Sequence, residues 1–320
     1  MNISLLPKIE LHCHLDGVLS PGMARDIQQT APFPIGPAEL QRAYPVDSLD
    51  SFFNWWNFIA LIKGSFTHFY PILANHLARL KAQNVTYAEI MLPFSCLGND
   101  PAQAIAGLQA FRAWADQQQG ETLQVEFLVA VGRNRSAQEM EARLECILAL
   151  YQAGLIVGFA LAGPEQGNPV HPFQRTFAQL HEAGLGIEIH AGEWCGPESV
   201  WDALQYGYPD RIGHGVSLFQ DPRLVALFGE RQLHIEMCPT SNVKTQSVAR
   251  LEDHPVVKAR ELGLNFSLNT DDPGTFLCSL EGEYELLATA FGFDARDFAR
   301  IYQNSWRARF ASRRQPRASI

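Results

Sequence analysis

Imidazoles and carboxylates recur in this sequence in short clusters that could hold a metal ion. His12-Cys13-His14 closes an apolar run beginning at Ile9. His190-Ala191-Gly192-Glu193, Ile212-Gly213-His214-Gly215 and Asn269-Thr270-Asp271-Asp272-Pro273 each close another. Side chains alternate faces along a strand, so His12 and His14 point the same way and can share an ion. Alone, that pair is as well explained by two packed histidines. Four clusters at the ends of four runs are not, if the runs are parallel strands whose ends meet at one rim. The rim would then hold His12, His14, His190, His214, Glu193, Asp271 and Asp272, which are costly to bury without a metal or mutual pairing. Imidazole and carboxylate donors suit zinc with a position left open for water. Zinc brings the pKa of such a water to about 7. His214, Glu193 and Asp272 are available to move protons around it.

The elements that must position these residues follow a rhythm of short apolar runs and longer amphipathic stretches. Strands are expected at Ile9 to His14, Val85 to Leu92, Val125 to Val131, Ile156 to Ala162, Gly186 to His190, Arg211 to His214, His234 to Cys238 and Asn265 to Asn269. Helical patterns such as Ala137 to Tyr151, Pro172 to Glu182 and His254 to Glu261 lie between them. Strand–helix alternation implies parallel pairing, and eight units imply an α/β fold of the (β/α)8 TIM barrel type. An open doubly wound sheet is the alternative. One domain over residues 1–320 is expected, with a helical insertion after the first strand at about residues 20–80. That insertion carries Leu49-Asp50-Ser51-Phe52-Phe53-Asn54-Trp55-Trp56-Asn57-Phe58, read as a helix after a Pro45/Asp47/Ser48 turn. Its aromatics either pack onto the barrel or form a lid over the mouth, since loops at this end of a barrel carry function. The tail after Phe310, with Arg313, Arg314 and Arg317, reads as a frayed basic end.

Composition narrows the partners. The chain has 320 residues, 47% hydrophobic and 18% charged, which gives it ample apolar material for a core. Its formal net charge of −9 makes nucleic acid and anionic membranes poor partners and favours a small neutral substrate. Six scattered cysteines without a CxxC pair read as reduced thiols, and no export signal or membrane-spanning run is visible, so a cytoplasmic location is expected. Association into a homo-oligomer stays open.

The motifs also carry a resemblance. Pro7-Lys8-Ile9-Glu10-Leu11-His12-Cys13-His14-Leu15-Asp16-Gly17 resembles the opening signature of the adenosine deaminase family. Leu161-Ala162-Gly163, His190-Ala191-Gly192-Glu193, Arg211-Ile212-Gly213-His214-Gly215, Cys238-Pro239-Thr240-Ser241-Asn242 and Asn269-Thr270-Asp271-Asp272-Pro273 match it in order, from Pro7 to about Phe310. The resemblance implies that His12, His14, His190 and Asp271 ligate one Zn2+ ion. It implies that Glu193 donates a proton to purine N1, that His214 takes the proton of the attacking water or orients it, and that Asp272 holds the hydroxide. It further places the Gly163 N–H at ring N3, and Asp16 and His14 near a ribose. Phe52, Phe53 and Trp56 align with the family's apolar gate. The chemistry agrees: attack at C6 pushes electrons onto N1, so a carboxyl that stays neutral until substrate binds is needed there.

The expected substrate is an adenosine-type nucleoside, for which Asp16 could accept a sugar hydroxyl's hydrogen bond. Relatives resembling adenine deaminases commonly carry Glu at that position. The alternatives are adenine, a modified adenosine (methylthio-, aminodeoxyfutalosine-type or N6-methylated), or another metal-dependent amidohydrolase reaction. Pro164 stands where the family often has Asp, and it removes one backbone N–H. His234-Ile235-Glu236 mimics the H-x-E of cytidine deaminases but lacks their P-C-x-x-C, so His234 is expected to be a packed strand residue. His68, His76, His171, His181 and His254 are read as surface or structural, and Cys13 and Cys195 as small buried fillers.

Overall fold

The computed structural model describes residues 1–29 and 33–311. Eight parallel strands follow in chain order: β1 (Lys8–His14), β2 (Val85–Pro93), β3 (Gln124–Gly132), β4 (Gly158–Ala162), β5 (Gly186–Ala191), β6 (Arg211–His214), β7 (His234–Met237) and β8 (Phe266–Leu268). Each pairs with the next, and the ring closes where Asp271 meets β1. There the Asp271 N–H donates to the His12 carbonyl and the His14 N–H to the Asp271 carbonyl, both at 2.9 Å. Closure removes the doubly wound alternative and gives the (β/α)8 barrel. The expected strand bounds hold to within a residue except at β4, which starts two residues after Ile156. Arg313, Arg314 and Arg317 lie outside the described residues.

The helices, in chain order, are α1 (Pro21–Gln28), α2 (Pro37–Gln41), α3 (Leu49–Phe58), α4 (Phe66–Ala82), α5 (Pro101–Gln119), α6 (Ala137–Gln152), α7 (Gln174–Glu182), α8 (Pro197–Tyr206), α9 (Pro222–Arg231), α10 (Pro239–Lys244), α11 (Val256–Glu261), α12 (Leu280–Phe291) and α13 (Ala295–Ala308). No described helix is long and apolar enough to cross a membrane. Two expected helices start late. The turn at His171–Phe173 is 3-10 before α7, and α11 begins at Val256 after Pro255.

Register in β1 decides which side chains reach the rim. Between Glu10 and Cys13, Leu11 and His12 of β1 stand opposite the single residue Glu89 of β2, which is a β-bulge. Leu11 thereby packs with Ile9 and Tyr87 low in the barrel, while His12 reaches the polar centre above. The Leu11 N–H donates to Asn269 Oδ1 at 3.0 Å. At the floor, the Phe310 ring fills the space beside Gly158 and Gly186, where a Cβ would fall 2.6 and 2.2 Å from it. The Arg211 guanidinium lies 3.5 Å from the centroid of that ring.

The insertion between β1 and β2 comprises α1 to α4. Ser48 caps α3 by accepting from the Ser51 N–H, as the turn-then-helix reading expects. Trp55 points into the core and is fully buried. Phe52 stacks on Phe276 with centroids 5.6 Å apart, and Phe53 lies 5.5 Å from Trp194. The helix thus packs inward through Trp55 and meets the rings of Phe276 and Trp194 through Phe52 and Phe53.

Candidate active site

The C-terminal strand ends bring the predicted residues together. Nitrogen or oxygen atoms of His12, His190, His214 and Asp271 all lie within 4.8 Å of one another. His14 joins them, its Nε2 lying 3.2 Å from His190 Nε2 and 3.5 Å from Asp271 Oδ1. His12 Nε2 is also 3.5 Å from Asp271 Oδ1 and is buried without a hydrogen-bond partner. Two imidazole nitrogens facing each other and a third left unpaired are what a shared cation would satisfy. The donor set, imidazoles plus one carboxylate, fits zinc. His214 and Asp271 both adopt a positive φ of 63°, a left-handed conformation uncommon for non-glycine residues.

Beneath this cluster a buried polar layer fixes its geometry. Glu236 Oε2 accepts from His12 Nδ1 at 2.8 Å, and Glu188 Oε1 faces His190 Nδ1 at 2.9 Å. Arg211 holds Glu236 at 2.6 Å and Glu89 at 2.7 Å. Arg211 and His12 keep Glu236 ionised despite its burial. Burial would depress His12, but Asp271 and Glu236 outweigh it and raise its pKa well above normal. Burial holds His190 and His14 below the usual histidine range, and lowers His214 to about 3. Neither glutamate was singled out from the sequence. Glu236 sat in the H-x-E decoy, whose His234 is, as expected, a packed strand residue bonded to Asn265 and Ser267.

The groups with proton-moving chemistry stand around the same centre. Glu193 Oε2 lies 3.5 Å from His214 Nε2. Burial, then the Asp271 and Glu165 carboxylates, raise the Glu193 pKa well above normal, so its neutral acid form is favoured. Burial, then Asp271 and Asp16, do the same for Asp272, whose Oδ1 is buried without a partner. Gly17 is required beside it, because a Cβ there would fall 1.6 Å from Asp272 Oδ1.

Glu165, two residues after Gly163, was also missed. Its carboxylate accepts from the backbone N–H of Gly192 (2.7 Å), Trp194 (2.7 Å) and Cys195 (2.8 Å) and from Ser199 Oγ (2.8 Å). It therefore holds the turn that carries Glu193. Cys195 is only half-buried, so the reading of it as a buried filler is corrected: its backbone, tied to Glu165, matters more than its thiol.

Over the mouth, Trp56 meets His14 edge-on at 6.2 Å. Gly163, at the end of β4, has a φ of 93°. Asp16 is buried and paired with Lys63 Nζ at 2.9 Å, and the same ammonium lies 3.0 Å from the centroid of a Trp56 ring. Lys63 carried no sequence signal, because it lies 47 residues from Asp16 and the insertion folds back to join them. Behind the site, a cavity of about 50 Å³ beside Glu10, His76 and Cys278 reaches Thr270 and Pro273 but is lined by none of these groups.

Comparison with known proteins follows this geometry. The family model described as Adenosine deaminase matches residues 7–319. The chain is 34% identical to an aminodeoxyfutalosine deaminase of Streptomyces avermitilis, over 96% of this chain and 87% of that protein. It is 32% identical to an adenine deaminase of Sinorhizobium fredii, over 95% and 94%. Among solved structures, an adenine deaminase from Arthrobacter aurescens superposes with a TM-score of 0.81 at 27% identity, covering 96% of this chain and 95% of that one.

Proposed function

Since the chain belongs to the adenosine deaminase family and is a hydrolytic deaminase, we propose that it removes the 6-amino group of a purine with one Zn2+ held by His12, His14, His190 and Asp271. The observation that carries this reading is the meeting of those donor atoms, with His12 Nε2 unpaired, beside a buried Glu193 whose pKa burial pushes up. When bound, zinc would lower the pKa of a water and so supply hydroxide at neutral pH.

The chain's own groups do the rest. Glu193, held in its acid form, donates to N1 while the oxygen adds at C6, so no negative charge builds up on the ring. Asp272 and His214 fix the incoming oxygen by hydrogen bonds. The Gly163 N–H meets N3, and Phe52, Phe53 and Trp56 exclude bulk water. Of the two protons the water brings, one returns to Glu193 in place of the proton given to N1 and the other leaves with ammonia, which restores the ring as a 6-oxopurine.

The relatives move the substrate away from the plain adenosine expected from the sequence. Those named above act, by their descriptions, on adenine or aminodeoxyfutalosine. We assign the substrate as adenine or a modified adenosine, and the Asp16–Lys63 pair favours the second. A hydroxyl on the N9 side could donate to the carboxylate and accept from the ammonium at once, with Trp56 against the sugar face. Free adenine would leave both charges without a ligand. The test is a panel of 6-aminopurines, free and N9-substituted, followed by ultraviolet absorbance and ammonia release, with zinc measured in the same sample. Absence of ammonia from every member would sink the reading.

A further inference from the structure

Four imidazoles crowd one small volume, and geometry alone does not say which of them face a metal with a lone pair. The group behind each ring decides it, because a histidine nitrogen that accepts a hydrogen bond leaves the proton on the other nitrogen. Behind His12 stands a carboxylate, Glu236, which Arg211 also holds and which accepts from His12 Nδ1 at 2.8 Å. It holds the proton on Nδ1 and turns Nε2 toward the cluster.

Behind His214 stands something different. The backbone N–H of Val256 donates to His254 Nδ1 at 3.1 Å. A backbone N–H can only donate, so the neutral His254 must carry its proton on Nε2. That proton goes to Asn242 Oδ1, 3.2 Å away. The contact settles which end of the Asn242 amide is oxygen. Its Nδ2 then faces His214 Nδ1 at 3.1 Å and donates to it, with a second bond to Ser247 Oγ at 3.1 Å. His254, Asn242 and His214 are all buried, so water does not compete for these bonds.

We infer that this relay locks His214 as the Nε2–H tautomer, so that it is a hydrogen-bond donor to the reacting oxygen and not a metal ligand. His254 and Asn242 are its positioning residues. The polarity runs in one direction from a backbone amide on α11 to the centre of the site. It separates His214 from His12, although both lie within the same 4.8 Å cluster. It also settles the choice left open for His214, which orients the oxygen and has no lone pair on Nε2 with which to take its proton. The identity of that oxygen rests on the deaminase reading; the tautomer does not.

The test is the long-range ¹H–¹⁵N spectrum of histidine-labelled protein, metal-free and zinc-loaded, with His214 assigned by its loss in His214→Asn. The expected result is a proton on Nε2 and a bare Nδ1 in both states. Asn242→Asp puts a carboxylate behind the ring and should move the proton to Nδ1. Zinc should be retained and kcat should fall about 10²-fold or more, as expected when a catalytic histidine is held in the wrong tautomer. His254→Gln, which keeps a donor toward Asn242 Oδ1, should preserve the Nε2–H tautomer and serves if Asn242→Asp does not fold. A wild-type spectrum with the proton on Nδ1, or a His214 nitrogen coupled to ¹¹³Cd in the substituted protein, overturns the inference. The expected tautomer in a protein that deaminates no 6-aminopurine would leave the inference standing and remove the deaminase reading.

Discussion

The two ends of this barrel treat buried polar groups in opposite ways. At the floor, Arg211 is held by Glu89 and Glu236, and the Phe310 N–H donates to Glu89 Oε1 at 2.7 Å. At the rim, His12 Nε2 and Asp272 Oδ1 are buried without partners. An unpaired buried polar group costs about 1–3 kcal/mol. The rim therefore stores unfavourable energy that a ligand would relieve, while the floor supplies stability. Substitutions at the two ends should separate into losses of chemistry and losses of folding.

The largest effect should come from Asp271→Ala, which removes the one carboxylate from the proposed zinc set. Zinc content should fall well below one per chain and turnover should drop to background. Unchanged zinc by atomic absorption would show that Asp271 is not a ligand. Next, Glu193→Gln should keep its zinc and fold while kcat falls about 10²–10⁴-fold, the range expected for a general acid. Full turnover by that variant breaks the assignment of the N1 proton to Glu193. Glu165→Gln should be milder, about tenfold in kcat with a small loss of melting temperature, because misplaced catalytic groups lose rate before the fold is lost.

At the other end, Gly186→Ala forces a Cβ to 2.2 Å from the Phe310 ring. Overpacking of this kind costs about 1–3 kcal/mol. The melting temperature should fall by several degrees, with kcat per zinc unchanged; a loss of kcat at constant stability would erase the division between the two ends. The smallest effect concerns pH. Burial lowers His234 from 6.5 to about 4, so between those values the unfolded chain binds the extra proton. Stability should therefore decline as pH falls from about 6.5 to about 4, and His234→Gln should flatten that part of the denaturation curve. An unaltered slope would free His234 from any share in acid sensitivity.

How much of this was legible beforehand depends on sequence distance. The strands were readable because each is a short apolar run, and the rim histidines because alternation fixes their direction. Helix α3 was readable to its ends because Ser48 caps it. What escaped notice was held by partners far along the chain. Lys63 acquires meaning only beside Asp16, Glu236 only behind His12, and Glu165 only under the turn that bears Glu193. His254 looked like one more helical histidine and proves to be buried against Asn242. Local pattern records which face a side chain takes. It records nothing of what the barrel's curvature later sets against that face. The β1 bulge escaped for the same reason: it appears only once β2 supplies the count.

Phe310 has a temporal consequence. Its N–H is bonded to Glu89 across 221 positions of sequence, and its ring is the stopper beneath Arg211. A growing chain that has already emerged as far as β6 must therefore carry Arg211 and Glu89 open to water from below until the turn after α13 arrives. Assembly of the barrel's ionic heart is thus postponed until the residues after α13 are in place, and a chain cut short before them would keep every residue of the mouth yet lack the seal under them.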